Sequence, residues 1–176
     1  LQIQGENYWE KRSLDESIEI EQIVLDKLTK IPSVTHLTPR LEAFALISHE
    51  NTTKVSQVIG IDPVLENKFT EVKEKLIKGD YFNEELDGLL IGSGLAKMLS
   101  AEIGDSIVIY GQGYHGQIAA AIVQVSGIIK LPFKAMDNAM VFLPLPLAQK
   151  VFSCENRITS LPMLVDNIHH LKEVDI

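Results

Sequence analysis

The order of three short segments decides the fold prediction: Val58-Ile59-Gly60-Ile61-Asp62-Pro63, Leu89-Leu90-Ile91-Gly92-Ser93-Gly94-Leu95-Ala96-Lys97 and Ile103-Gly104-Asp105. Each segment alone has an ordinary structural explanation. Asp62 can cap the free amides of a helix that begins at Pro63. Gly92 and Gly94 allow a strand to turn sharply into a short helix, with Ser93 as its cap. No single catalytic motif accounts for the order, so the series indicates an architecture rather than an active site.

Length and composition indicate a compact soluble domain. The chain has 176 residues, of which 45% are hydrophobic, enough to bury a core in one domain or two small ones. Its longest apolar stretch, residues 118–129, is interrupted by Gln124 and Ser126 and falls short of the ~18 residues of a membrane-spanning helix. The chain begins at Leu1 without the pattern of a signal peptide and ends in a charged, helix-like run. We expect a domain cut from a longer protein.

Charge and cysteine content exclude several classes of function. The net charge is −8, from 24 acidic and 16 basic side chains that are scattered rather than clustered. This balance argues against nucleic acid or an anionic membrane surface as a partner. Cys154 is the single cysteine, so the chain forms no internal disulfide and no cysteine-based zinc site.

Hydrophobic periodicity divides the chain into helices and strands. A capping box at residues 13–16 precedes apolar residues at helical spacing that end at Pro32, which predicts a first helix. The apolar runs 41–48 and 54–61 flank a polar tip and predict a β-hairpin. A second helix is predicted from Asp62 to Gly79, because its apolar residues share one face and glycine can close it. Further strands are predicted at 1–4, 89–91, 106–110, 117–131, 140–143 and 158–165, with short helices at 95–99, after Pro144 and after Val165.

The segment Gly111-Gln112-Gly113-Tyr114-His115-Gly116 is a literal G-x-G-x-x-G that directly follows an apolar strand. In a dinucleotide site such glycines allow a tight turn and close approach of pyrophosphate to the N-terminus of the next helix. Here residues 117–124 are rich in strand-forming side chains, and Gly127 leaves room for only about three helical turns. Asp137 has the spacing of a ribose-binding acid but falls in a predicted loop. A glycine-rich hairpin is the favoured interpretation, and a small NAD(P)-dependent oxidoreductase is the alternative.

Other catalytic and metal motifs are not matched. A nucleophile elbow around Ser93 would need glycine where Ile91 and Leu95 stand. No Gly-Lys pair is followed by Ser or Thr, so the chain has no P-loop. His169 and His170 are adjacent and diverge by about 100° on a helix, whereas metal ligands need convergent side chains. We therefore predict no catalytic residue, no cofactor and no metal.

Two pairs of residues are the candidates for contact with partner proteins. Tyr8 and Trp9 form an aromatic doublet, and Tyr114 and His115 lie at the tip of the predicted glycine-rich hairpin. Large aromatic side chains are common at protein interfaces. These four residues are selected by expected exposure and not by chemistry.

The series of short segments extends over nearly the whole chain and resembles a known family. It includes Tyr8-Trp9-Glu10, Thr38-Pro39-Arg40-Leu41-Glu42, Val125-Ser126-Gly127-Ile128 and Val141-Phe142-Leu143-Pro144-Leu145. In this order the segments resemble the extracytoplasmic domain of ABC transporter permeases of the MacB, LolC/LolE and FtsX type. The resemblance implies an α+β (mixed α/β) fold, in which both chain ends, residues 1–60 and 156–176, form a porter-like core. Residues 61–155 would form an inserted, β-rich subdomain with short helices.

The same resemblance implies a non-catalytic periplasmic domain at the bacterial inner membrane. In the family this domain lies between the first two transmembrane helices of the permease. A separate cytoplasmic ATPase subunit or domain hydrolyses ATP, and the motion is transmitted to the periplasm, where lipoprotein or another envelope substrate is released or exported. The implied partners are a second permease subunit, identical or paralogous, and a periplasmic carrier or adaptor.

One departure from the family pattern narrows the expected role. LolC proteins carry a protruding hairpin hook just before the strand equivalent to residues 121–128, where this chain has only the short turn 111–117. A LolE-like or MacB-like role without a hook is therefore expected. A free-standing secreted ligand-binding module is the remaining alternative.

Overall fold

The regular elements follow the local sequence signals in most of the chain. The computed structural model describes residues 1–82 and 87–166, and the predicted helix after Val165, with His169 and His170, lies outside them. The helices are α1 (Tyr8–Lys11), α2 (Gln22–Leu28), α3 (Pro63–Thr70), α4 (Ser93–Leu99), α5 (Lys134–Asp137) and α6 (Leu145–Val151). The strands are β1 (Gln2–Gln4), β2 (Ile18–Glu19), β3 (Val34–Leu37), β4 (Arg40–His49), β5 (Thr52–Ile61), β6 (Leu76–Gly79), β7 (Leu89–Gly92), β8 (Ser106–Gln112), β9 (Ile118–Ile129), β10 (Met140–Pro144), β11 (Arg157–Ile158) and β12 (Ser160–Val165).

Six strands close into a barrel. The hairpin β4–β5 was predicted, and β5 pairs in parallel with β10, which pairs antiparallel with β7. β7 pairs with the second half of β9, whose first half pairs with β8. β8 returns to β4 by pairing residues 108–111 with residues 45–48. Because the path of hydrogen-bonded neighbours ends on the strand where it began, these strands enclose an interior.

The hydrophobic core fills this interior and continues outside it on two sides. The interior side chains include Ile47, Val58, Ile91 and Ile109, each fully buried. A second cluster lies under α2, where Leu28 packs near β3 and β12. A third covers the outer side of β5, β7 and β10 beneath the 3-10 turn Val72–Lys75. The same strands are therefore buried on both faces in this region.

The helix predicted from Asp62 to Gly79 is only half correct. Asp62 caps α3 as expected, since its Oδ1 accepts hydrogen bonds from the N–H groups of Val64 (2.9 Å) and Leu65 (2.8 Å). The helix ends at Thr70 because Glu71 adopts a left-handed conformation, with φ 53° and ψ 41°. After the 3-10 turn, the chain extends as β6, which pairs antiparallel with β9. Pairing with a distant strand has overridden the local helical pattern.

The capping box at residues 13–16 was also assigned to the wrong element. The Ser13 hydroxyl accepts a hydrogen bond from the Asp15 N–H at 3.2 Å, but it opens only the 3-10 turn Leu14–Glu16. The helix that was predicted to follow begins at Gln22 and ends at Leu28. The short strand β2 lies between them and pairs with β11 near the other end of the chain. That long-range pairing breaks the predicted continuous helix.

The barrel draws β4 and β5 from residues 40–61 and its other four strands from after residue 61. β1 and β3 pair with β12, so both ends of the described chain lie on one side of the fold. The division into a core of residues 1–60 and 156–176 and an insertion of residues 61–155 stays a prediction.

Candidate partner-binding surface

The glycine-rich segment joins two strands of the barrel and does not lead into a helix. β8 and β9 pair antiparallel from Ser106↔Gln124 to Gln112↔Ile118, with a 3-10 turn at Tyr114–Gly116 between them. A Cβ on Gly113 would lie 2.5 Å from the carbonyl oxygen of Phe152. Close packing therefore explains this glycine. The dinucleotide alternative is wrong in its structural premise, because residues 118–129 form a strand where that site requires a helix N-terminus.

The two residues at the hairpin tip differ in exposure. Tyr114 is half-buried against the interior cluster, and the Arg157 guanidinium carbon lies 4.6 Å from the centroid of its ring. Its other neighbour is His115, whose ring stacks on it with centroids 4.0 Å apart. His115 is exposed, has φ 52°, and its N–H donates to Asp15 Oδ1 at 2.7 Å. The tip is thus fixed to the 3-10 turn at residues 14–16.

The expectation that Tyr8 is exposed was wrong. Its side chain is 2% exposed, and its hydroxyl donates a hydrogen bond to the carbonyl oxygen of Glu42 at 3.1 Å. Burial, together with the nearby negative charge of Glu42, raises the pKa of Tyr8 to about 12. Trp9 follows it within α1. A partner-contact role for Tyr8, Trp9, Tyr114 and His115 stays a prediction.

A buried carboxylate, Asp137, is the main polar centre that the sequence did not predict. It is 1% exposed and accepts hydrogen bonds from Ser93 Oγ (2.8 Å) and Lys130 Nζ (2.7 Å). Asp137 also accepts from the N–H groups of Ser93, Gly94 and Leu131. Ser93 is therefore not the helix cap that was predicted: Asp137 caps α4 from another element. With its oxygens held by five donors, this carboxylate has a structural role.

A second buried carboxylate, Glu66, forms a bidentate ion pair. The Arg40 guanidinium donates from Nε to Glu66 Oε2 at 2.9 Å and from a terminal nitrogen to Oε1 at 2.7 Å. The hydroxyls of Thr38 and Thr70 donate to the same carboxylate at 3.1 and 2.9 Å. Arg40, Glu66 and Thr70 line a cavity of 340 Å³, together with Met136 and Phe142. Since Glu66 is fully partnered, it also has a structural role.

Across residues 1–82 and 87–166, no three His, Cys, Asp or Glu side chains lie close enough together to hold a metal ion. The same part of the chain contains no helix long and apolar enough to cross a membrane.

The outer surface of the barrel carries an apolar patch on four adjacent strands, here called the apolar sheet face. One cross-strand row joins Val55, Leu46, Tyr110 and Ala120. All of these residues are exposed. Large apolar side chains that cluster on the surface of a folded domain are typical of interaction sites. The large apolar residues of the apolar sheet face, with their exposed fractions, are Phe44 (51%), Leu46 (40%), Val55 (68%), Val108 (41%), Tyr110 (52%), Ile118 (71%) and Ile122 (72%).

The apolar sheet face was missed by sequence reasoning, although β4 carries a signal for it. Ala43, Ala45 and Ile47 point into the barrel and are buried, whereas Phe44 and Leu46 alternate with them and point outward. A strand with one solvated face normally alternates apolar and polar residues. The continuous apolar run 43–47 therefore indicates that both faces of β4 are used.

The fold of the chain is that of extracytoplasmic domains of ABC-type transporters. Two solved structures show this likeness. The extracellular domain of the ABC-type transporter YknZ from Gram-positive bacteria superposes with a TM-score of 0.66 at 13% identity, covering 89% of this chain and 78% of that one. The periplasmic region of MacB from Actinobacillus actinomycetemcomitans gives 0.65 at 15% identity, covering 98% and 78%. These likenesses confirm the predicted mixed α/β fold.

The chain belongs to the MacB-like periplasmic core domain family, whose model matches residues 2–168. It is also 27% identical over 158 residues to the lipoprotein-releasing system transmembrane protein LolE of Haemophilus influenzae. That match covers 85% of this chain and 38% of LolE, so the chain spans well under half of this relative. The predicted family resemblance is confirmed. Family membership places the domain on the periplasmic side of the inner membrane.

Proposed function

We propose that this domain belongs to a permease that releases lipoproteins from the inner membrane. The observation that carries the proposal is the similarity to LolE, which extends over 85% of the chain. The short turn at 111–117 is compatible with a LolE-like role, since the hook of LolC proteins would occupy this position. The domain itself is non-catalytic in this proposal, and a separate cytoplasmic subunit or domain hydrolyses ATP.

The domain would act as a rigid coupling element between the membrane and the periplasm. A closed barrel resists internal deformation because each of its strands is hydrogen-bonded on both sides. Movement of the membrane part then displaces the barrel as a body, and its surfaces meet a second permease subunit and a periplasmic carrier or adaptor. Exposed His115, with Tyr114 and Trp9, is proposed to contact one of these partners. Tyr8 would not touch the partner itself, because its ring is buried.

Depletion of the full-length permease tests this function. Lipoproteins with an outer-membrane destination are expected to accumulate in the inner membrane, measured by separating the two membranes and quantifying lipid-labelled proteins. Depletion of an unrelated inner-membrane permease is the control. An unchanged lipoprotein distribution, with accumulation of a different envelope substrate instead, would assign the domain to an exporter of that substrate.

A further inference from the structure

We propose that the cavity between the outer side of the barrel and the 3-10 turn Val72–Lys75 binds a small uncharged amphiphile. Such a molecule has a hydrocarbon chain and an uncharged hydrogen-bonding head, for example an amide or a hydroxyl. The cavity, here called the outer cavity, measures 340 Å³, within the range of roughly 300–1,000 Å³ for small-molecule sites. A ligand at this position is additional to the transported substrate, so the inference goes beyond the proposed function and does not depend on it.

The floor of the outer cavity changes from polar to apolar across three strands of the barrel. Strand pairing places Glu42 on β4 beside Ile59 on β5, and Ile59 beside Phe142 on β10. In the neighbouring row, Gln57 on β5 lies beside Met140 on β10. Since adjacent strands are about 4.8 Å apart, this gradient extends over roughly 10 Å. A ligand that is polar at one end and apolar at the other matches such a floor.

The side chains at the apolar end suit a hydrocarbon chain. Ile59 and Phe142 are each 7% exposed, and Met136 and Met140 are partly buried against the same hydrophobic cluster. The other apolar side chains that line the outer cavity are Val72, Leu131 and Pro132. Methionine is unbranched and flexible, so it adapts to ligands of irregular shape. Sites for small ligands are lined in this way, mainly by apolar and aromatic side chains with a few polar groups that fix orientation.

Gln57 offers the hydrogen bonds that an uncharged head requires. Its Nε2 donates to Glu42 Oε2 at 3.2 Å. Within the described part of the chain its side chain forms no other hydrogen bond, so Oε1 and one hydrogen of Nε2 remain available. An amide or hydroxyl head both donates and accepts, and it can therefore bond to each of them.

The charges around the outer cavity select against an ionised head. The lining includes two cations, Arg40 and Lys75, and two anions, Glu42 and Glu66, so neither sign is in excess. Arg40 and Glu66 neutralise each other in their ion pair. The Lys75 ammonium donates to two backbone carbonyl oxygens, and Glu42 accepts from two uncharged side chains. A carboxylate head beside Glu42, or an ammonium head beside Arg40, would lose its hydration without a matching gain.

The walls of the outer cavity are held in place by hydrogen bonds within the domain. Its floor consists of paired strands, and Glu66 ties the opposite wall to β4 through its bonds to the guanidinium there. The Lys130 N–H donates to the Lys75 carbonyl oxygen at 2.8 Å, and the Leu131 N–H donates to Asp137 at 2.9 Å. These bonds fix the 3-10 turn and the segment after β9 relative to each other. Binding a ligand therefore requires little ordering of the site.

Nuclear magnetic resonance of the methionine methyl groups tests the inference. The barrel and its three hydrophobic clusters form within the described part of this chain, so the chain itself is used, with its four methionines labelled with carbon-13. Met136 and Met140 line the outer cavity, whereas Met98 (39% exposed) and Met163 (1% exposed) lie elsewhere and are internal controls. The probes are octanamide, 1-octanol, octanoate and octylammonium, because they share one chain length and differ in the head.

Octanamide and 1-octanol are expected to shift the signals of Met136 and Met140 saturably and to leave the other two in place. Octanoate and octylammonium should bind at least about tenfold more weakly, because their ionised heads lose hydration. Gln57→Leu should weaken octanamide binding about three- to tenfold, because it removes the hydrogen bonds to the head. Gln124→Leu, at an exposed position of β9, is the matched control and should have no effect.

Met136→Trp tests the position of the ligand. The larger side chain fills the outer cavity, so octanamide should no longer shift the Met140 signal at concentrations that saturate the unaltered chain. Met98→Trp is the matched control, because Met98 does not line the outer cavity, and it should leave the shift unchanged. The Met163 signal and circular dichroism show whether each variant is folded.

Several results would overturn the inference. They are no saturable shift of Met136 and Met140 with any probe, an equal shift of Met98, or octanoate or octylammonium binding as tightly as octanamide. Undiminished binding to a folded Met136→Trp variant would also overturn it, because the ligand would then lie elsewhere. Should that variant not fold, the Gln57→Leu comparison decides, and equal affinity of the Gln57→Leu and Gln124→Leu variants rejects the assigned site.

Discussion

The carboxylate of Asp137, at the end of α5, caps the N-terminus of α4 by accepting hydrogen bonds from the N–H groups of Ser93 (3.1 Å) and Gly94 (2.9 Å). It also accepts from the N–H of Leu131 at 2.9 Å, just after β9. One side chain thereby ties together two helices and the end of a barrel strand. The close approach of α4 to the end of α5 depends on Gly94, because a Cβ at position 94 would lie 1.9 Å from Oδ1 of Asn138.

We expect Asp137→Ala to destabilise the domain by about 3 kcal/mol or more, because the buried N–H groups of Ser93 and Leu131 and the partly buried N–H of Gly94 lose their acceptor, at about 1–3 kcal/mol for each buried donor. Asp137→Asn should cost less, since one oxygen can still accept. Asp80→Asn is the control. Asp80 is exposed, and its replacement should change stability by no more than about 0.5 kcal/mol. Urea unfolding followed by circular dichroism measures each value, and equal stability of the Asp137→Ala and Asp80→Asn variants would contradict the capping role.

Acid should remove part of this stabilisation. Burial raises the pKa of Asp137, but the hydrogen bonds from Lys130, Leu131, Ser93 and Gly94 outweigh it and lower the pKa from 3.8 to about 2. A carboxyl group with a lowered folded-state pKa stabilises the protein above its unfolded-state pKa, and this contribution is lost as the pH falls through the folded-state value. The difference in unfolding free energy between the unaltered domain and Asp137→Asn should therefore shrink between pH 5 and pH 2. A constant difference would mean that the pKa of Asp137 is the same in the folded and unfolded states.

The sequence predicts features that depend on neighbouring residues, but not those that depend on residues far away in the chain. The Asp62 cap and the β4–β5 hairpin are set by neighbouring residues, so their signals survive in the fold. Asp137 acts on residues 43 and 44 positions away, and no local pattern marks such a partner. The helix predicted through Gly79 failed for the same reason, because β6 gains its hydrogen bonds from β9.

The apolar sheet face could be predicted from the sequence in part. The outward positions of β4 carry Phe44 and Leu46, and a strand with apolar residues on both faces is detectable from sequence as a continuous run. Strand pairing places Val55 and Tyr110 on either side of Leu46. The sequence could therefore indicate that a surface exists, and only the register could give its extent.

Glu66→Ala should destabilise the domain by about 3–5 kcal/mol, because it leaves the largely buried Arg40 guanidinium without its partner. The Arg40 side chain is 22% exposed and that of Glu66 is 2% exposed, so water restores little of the lost interaction. The matched control is Glu102→Ala. Glu102 forms an ion pair with Lys78 at 3.1 Å, but its side chain is 69% exposed, and exposed pairs contribute about 0–1 kcal/mol. Thermal and urea unfolding of both variants give the comparison, and similar losses would show that burial of the Arg40–Glu66 pair has no effect.

The Gly113→Ala variant tests whether Gly113 is required for packing or for binding a ligand. Gly113 has φ −91° and ψ −170°, an extended conformation that alanine adopts without strain, so any loss must come from the new methyl group. This group would meet the Phe152 carbonyl oxygen at 2.5 Å, the same oxygen that accepts a hydrogen bond from the Tyr114 N–H at 2.8 Å. Relieving the overlap moves the hairpin turn away from α6, at a cost of about 1–3 kcal/mol.

Gly104→Ala is the complementary control. Gly104 has a φ of +87° and its Cβ position is open, so only backbone strain of about 1–2 kcal/mol is expected there. Amide hydrogen exchange separates the two variants. Gly113→Ala should increase exchange at Tyr114, whose N–H donates to the Phe152 carbonyl oxygen, and at Gln117, whose N–H donates to the Tyr114 carbonyl oxygen, and Gly104→Ala should not. Unchanged stability and exchange in the Gly113→Ala variant would remove the packing explanation for this glycine.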